Sequence, residues 1–146
     1  MNGFQFFVPG KFPNANDVIN TGRGNKFAGN REKQTWTDRV ALHIWDQGHR
    51  DKNKILFTEP VFVDFIWLEA NKKRDPDNVA SAKKFVLDGM VKAGLIKKDG
   101  WAQIGGFNDA WHVFKRNPGV IVIVSVFEPD PEASNLDWID WEKLNI

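Results

Sequence analysis

The stretch PVFVDFIWLEA, residues 60–70, decides the fold. Val61, Val63, Phe65 and Trp67 alternate on one face, the period-2 pattern of a β-strand rich in β-branched and aromatic side chains. Phe62, Ile66 and Leu68 make the other face apolar as well, which predicts a strand in the middle of a sheet, covered on both sides. Asp64 is its one internal charge, a metal ligand on one reading and a locally paired acid on the plainer one.

The strand runs straight into NKKRDPDNVASAKKFVLDGMVKAGLIKKDG, residues 71–100. A basic cluster (Lys72, Lys73, Arg74) leads to an Asp-Pro-Asp-Asn turn. Over residues 79–93, Val79, Ala82, Val86, Met90 and Ala93 fall in a stripe about 80° wide at 100° per residue, which predicts an amphipathic helix. Gly94 ends it as a C′ glycine. Lys97, Lys98, Asp99 and Gly100 then make a charged turn.

Working outward, residues 4–8 form a short apolar run closed by Pro9-Gly10, a first strand. Residues 13–26 hold Arg23 and Lys26, lack an apolar period, and read as a basic loop of the kind that touches phosphates. In residues 31–48, Trp36, Val40, Ile44 and the pair Leu42/Trp45 recur near a 3.6 period before Gly48, which predicts a helix. Downstream, residues 101–115 have strand or loop character and Asn117-Pro118-Gly119 reads as a hairpin-like turn. VIVIVSVF, residues 120–127, is a strand, and a short helix is expected over residues 135–144. The order β-α-β-α-β(β) predicts an α/β (α+β) domain over residues 1–128, a mixed sheet packed with two main helices. Residues 129–146 form an acidic tail, expected to dock on the sheet through Trp138 and Trp141 or to cover a basic face.

Composition narrows the function classes. A chain of 146 residues, 42% hydrophobic and 27% charged, is that of a globular domain large enough to need no staples. It has no cysteine, which excludes a disulfide framework and thiolate metal sites. No charged n-region or apolar span is visible at the N-terminus, so no membrane segment is expected and the cytoplasm is the expected location. The net charge of +1 hides a segregation: residues 128–146 carry six acids against one base, leaving a body of +6. A basic body suits a polyanionic partner. There are twelve Phe and seven Trp but no Tyr, and a few exposed aromatics would be able to stack on bases.

Asp75 at an N-cap, Pro76 at N1 and Asp77 in the first turn make an ordinary helix start, and that reading accounts for both acids. A functional one stands beside it. On the helical wheel Asp77 lies about 160° from Val79, Lys84 near 140° and Asp88 near 180°, so these three share the polar face. Lys83, near 40°, flanks the buried stripe. Lys84 is therefore the lysine expected at a carboxylate site; its plain alternative is an i,i+4 ion pair with Asp88. Carboxylates are hard ligands suited to Mg²⁺ or Mn²⁺, and such an ion can activate water against phosphorus while a lysine offsets developing charge. His43, His49 and His112 have no metal-ligand spacing. Gly22-Arg23-Gly24 is too short for a nucleotide loop, so no organic cofactor is expected.

RDPDN, followed by KKFVLDGMVKAG and KKDGWAQI, resembles the RusA family of Holliday junction resolvases, common in bacteriophages and prophages. The resemblance is sharp over about thirty residues and extends loosely upstream to PVFVDFIWLEA and the N-terminal VPG…PN segment. Its acidic site residues fall on Asp75, Asp77 and Asp99, and its functional lysine falls best on Lys84. The helix here is about three residues longer between Asp77 and the lysine than in the founding member, which turns roughly 300° and keeps nearly the same face. The acidic tail lies beyond the family pattern.

The resemblance implies a homodimeric, Mg²⁺-dependent endonuclease making paired symmetric nicks in a four-way DNA junction, in a bacterial or phage-infected cytoplasm. Arg23, Lys26, Lys72, Lys73, Arg74, Lys97 and Lys98 would then meet phosphates, which position DNA without reading its sequence. A helix over residues 78–93 is about 24 Å long. The five steps from Gly94 to Asp99 span at most about 18 Å. Asp99 is therefore expected to join Asp75 and Asp77 from the partner copy. Two other readings stay open: a DNA-binding module without catalysis, and an interaction protein whose acids are caps. Bare carboxylates that repel phosphate argue against the first, and Asp99 against the second.

Overall fold

In the computed structural model, which describes residues 3–14, 24 and 26–145, the alternating stretch becomes strand β2 (Val61–Glu69). Val61, Val63, Phe65 and Trp67 are buried, while Phe62, Asp64 and Ile66 are half-buried. β2 joins β1 (Gly3–Pro9), β3 (Ile104–Val113) and β4 (Gly119–Val126) in one four-stranded mixed sheet of order β1-β4-β2-β3. The domain is thus mixed α+β. β2 is an interior strand, as its pattern predicts, but the cover is one-sided. The buried parity of β1, β2 and β4 (Phe6, Val8, Val63, Phe65, Val122, Val124) packs with the two main helices in one core. The opposite parity, with Phe7, Ile66, Ile121 and Ile123, stays partly open because both helices lie on the first face.

Topology explains that placement. β4 runs antiparallel to β1 and to β2, whereas β3 runs parallel to β2. The β1-to-β2 and β2-to-β3 connections therefore link strands of like direction, which requires a crossover and brings a helix onto the sheet. The turn around Asn117-Pro118-Gly119 is not a hairpin. β3 and β4 do not pair; the chain passes the end of β2 and β4 enters the slot between β1 and β2. Val120, Val122 and Val124 are fully buried there, which an edge position beside β3 would not provide.

Helix α1 (Lys26–Asp46) begins earlier than the apolar period suggests. Its first turns place Phe27 outward, 81% exposed, so no buried stripe marks them in the sequence. The helix expected over residues 79–93 is divided into α2 (Pro76–Ala80) and α3 (Lys83–Ala93). Ser81 Oγ donates to the Asn78 carbonyl at 2.6 Å at the division, a local side-chain bond of the type that competes with helix continuation. Gly94 does end α3, in the left-handed conformation at φ 85°. Gly89 lets α3 press against α1: a Cβ there would lie 2.4 Å from Val40 Cβ.

The tail carries two short helices, α4 (Pro131–Ser134) and α5 (Trp141–Leu144), so the helix expected over residues 135–144 is confined to its end. Asn135 is extended, and Asp130 and Asp140 cap the two turns through Glu132 N–H and Lys143 N–H. Trp138 (72% exposed) and Trp141 (43%) do not dock on the sheet. Among the described residues no helix is long and apolar enough to cross a membrane.

Candidate functional site

Pro76 fixes the start of α2, and Val79 N–H donates to the Asp75 carbonyl at 3.1 Å. The Asp75 side chain makes no capping bond. Asp75 and Asp77 are both exposed, and neither carboxylate has a hydrogen-bond or ion-pair partner among the described residues. The helix-start reading thus holds for Pro76 at N1 and for Asp77 in the first turn, covers Asp75 through its main chain only, and leaves both carboxylates without a side-chain partner among the described residues.

The Asp75-Pro76-Asp77 tripeptide is well anchored. Trp111 Nε1 on β3 donates to the Pro76 carbonyl at 3.1 Å. Arg74 makes a bidentate pair with Glu69 at 2.9 and 3.0 Å, and its Nη1 reaches the Phe12 carbonyl at 2.7 Å. Arg74 therefore ties the loop to the end of β2, a structural task that occupies a guanidinium grouped by sequence with the phosphate-binding cations. Asp75, Lys72 and Trp111 line a hollow of about 280 Å³ between this loop and β3.

Two lysines follow at the start of α3. Lys84 Nζ lies 3.0 Å from Asp88 and 3.4 Å from Asp99, so its ion pair along the helix and its contact with the predicted site acid are both realised. The hydrogen bond to Asp88, with Asp99 adding to it, raises the Lys84 pKa above its usual value. Lys84 is accordingly a fixed cation at neutral pH. Lys83 takes a different course: its Nζ donates to Asp109 Oδ2 at 2.7 Å and sits over the rings of Phe107 and Phe65 at 4.7 and 5.1 Å. Trp67 Nε1 donates to Asp109 Oδ1 at 2.8 Å. The sequence reading missed Asp109, whose segment IGGFNDAWHV is too mixed to declare a strand. Its alternation with Phe107 and Trp111 was the available signal, since all three share the helix-covered face of β3.

The predicted acids are not gathered at one point of a single chain. Asp99 lies beside Lys84 and Asp88 along α3, and among the described residues no group of three acidic, histidine or cysteine side chains is placed to hold a metal. Lys26, Lys72, Lys73, Lys97 and Lys98 are exposed, while Arg23 lies outside the described residues. Asp64 has the helix-free parity of β2, opposite that of Phe65 and the Lys83–Asp109 pair.

No protein-family model matches the chain, and no curated protein matches it.

The donor set at Asp75 and Asp77 suits Mg²⁺ or Mn²⁺. Such ions are commonly held by one or two carboxylates and complete their shell with water and substrate phosphate. A cation there would also remove the repulsion between the bare carboxylates and a polyanion.

Proposed function

We propose that this chain is a divalent-metal-dependent, structure-specific endodeoxyribonuclease of the RusA type, acting as a homodimer on four-way DNA junctions. The observation that carries the proposal is the state of Asp75 and Asp77: exposed, anchored through their backbone, and free of the capping bond that would give Asp75 a structural purpose. Asp75 and Asp77 would hold the ion, and the chemistry it supplies is an activated water together with charge neutralisation at phosphorus. Lys84, kept protonated by Asp88 and Asp99, offsets negative charge on the phosphoryl group. Lys72, Lys73, Lys97 and Lys98 engage flanking phosphates and set the DNA's position.

The dimer enters through Asp99. Within one chain its carboxylate is paired with Lys84 on α3, and no three potential ligands are grouped among the described residues, so in this proposal Asp99 of a second copy completes the set. Strand scission of a labelled four-way junction with Mg²⁺, against EDTA, tests the function. A junction bound tightly but uncut under any divalent ion would favour a non-catalytic DNA-binding module.

A further inference from the structure

Trp101 is fully exposed, at 101% of its reference surface, whereas Trp67 is buried and Trp36 and Trp45 are packed against the core. Leaving a whole indole in water forgoes the burial that an aromatic ring ordinarily contributes. The ring is presented on a firm base. Gln103 and Ile104 N–H both donate to the Gly100 carbonyl, at 3.1 and 3.0 Å, closing the turn beneath Trp101. The Gln103 carbonyl accepts from Val61 N–H at 2.8 Å, which ties that turn to β2. On the other side the loop is pinned by buried Leu95 and Ile96 and by the Phe57 N–H to Leu95 carbonyl bond at 2.9 Å. Between these anchors Lys97 and Lys98 point into solvent, and Asp99 links the loop to Lys84.

From this arrangement we infer that Trp101 is a stacking platform for an unpaired or splayed base of branched DNA, with Lys97 and Lys98 holding the adjacent phosphates. A cationic strip beside an exposed ring is the chemistry that recognises unstacked bases, because every base offers a π-face and the cations follow the backbone. In a continuous duplex the bases are stacked on one another; at a branch point they can be parted. Trp101 therefore discriminates branched from linear DNA, whereas the lysines bind both. The inference rests on the nuclease proposal and adds a substrate-discriminating residue outside the acidic site.

The test uses the full chain with Ca²⁺ in place of Mg²⁺, a four-way junction carrying 2-aminopurine at the branch point, and a linear duplex of matched sequence. Trp101→Ala is expected to weaken junction binding about tenfold, within the range of base–aromatic stacking. It should abolish the 2-aminopurine quench and leave duplex binding alone. Trp101→Phe should keep most of the affinity. The slope of log K against log salt should not change, because phosphate contacts set it. Equal junction affinity and quench in Trp101→Ala overturn the inference and leave the nuclease proposal standing. So does an equal loss on junction and duplex, or a Trp101→Ala protein that sediments as a monomer, which would make the indole a subunit contact. A wild-type protein that binds neither DNA overturns both.

Discussion

Lys83 and Asp109, 26 positions apart in the chain, meet at 2.7 Å and lock the first residue of α3 to the edge strand β3. Each side chain is about four-fifths covered, at 22% and 20% exposed, and Asp109 also accepts from Trp67. Removing the acid would leave Lys83 between two aromatic rings without its counter-ion, and the Trp67 N–H without an acceptor. Asp109→Ala is expected to cost about 2 kcal/mol, between the values for an exposed pair and a fully buried one. Lys83→Met should cost less, because its aliphatic stem still fills the gap between Phe65 and Phe107. Urea unfolding measures both; two variants within experimental error of wild type would show that the pair does not hold the edge strand.

Asp75 and Asp77 separate stability from activity. A capping aspartate replaced by alanine costs about 1 kcal/mol. Because the Asp75 carboxylate makes no capping bond, Asp75→Ala should fall below about 0.5 kcal/mol while metal-stimulated cleavage is lost. A large drop in the unfolding midpoint would return Asp75 to a structural role.

The two-copy arrangement of the acids has its own signature. Asp77→Asn and Asp99→Asn would each be inactive alone. Mixed and refolded together, they form heterodimers in which one site regains both acids, giving roughly a quarter of wild-type cleavage in a random two-fold assembly. If the acids act within one chain, the mixture stays dead.

These relationships were unevenly legible in the sequence. β2 and β4 could be read because their alternation is dense, and Gly94 because a left-handed cap needs it. The opening turns of α1 could not, since Phe27 faces outward and no buried stripe marks them. The exchange of a hairpin for a crossing past β2 was hidden for another reason: strand pairing is a long-range choice, and Asn117-Pro118-Gly119 reports only the local turn. Within the candidate site, motif and wheel singled out Asp75, Asp77 and Lys84, and the exposure of the two acids and the Lys84–Asp88 ion pair were legible there too. The wheel also placed Lys83 beside the buried stripe. Asp109 escaped because its role depends on β3 pairing with β2, which brings it opposite Phe65. Arg74 looked like a free cation until its partners, Glu69 and the Phe12 carbonyl, were in place.

One titration is expected to show in stability. Burial, aided by nearby Arg39, lowers the pKa of His43 in the last turn of α1 below its usual 6.5. The unfolded chain then binds the proton more readily than the folded one. Stability is fully present above pH 6.5 and falls as the pH drops from there through the lower folded value. His43→Gln should remove that component of the slope in urea midpoints taken across this window. An unchanged slope would show that His43 titrates alike in both states.

The most direct test is cleavage of a synthetic four-way junction and a matched linear duplex by the wild type and Asp77→Asn, each with Mg²⁺ or EDTA. The expected result is paired nicking of the junction by the wild type, only with the metal, sparing the duplex. Asp77→Asn should still bind the junction and leave it whole. Cleavage that survives EDTA or the substitution, or a wild type that leaves the junction intact under every divalent ion, would contradict the role assigned to the paired carboxylates.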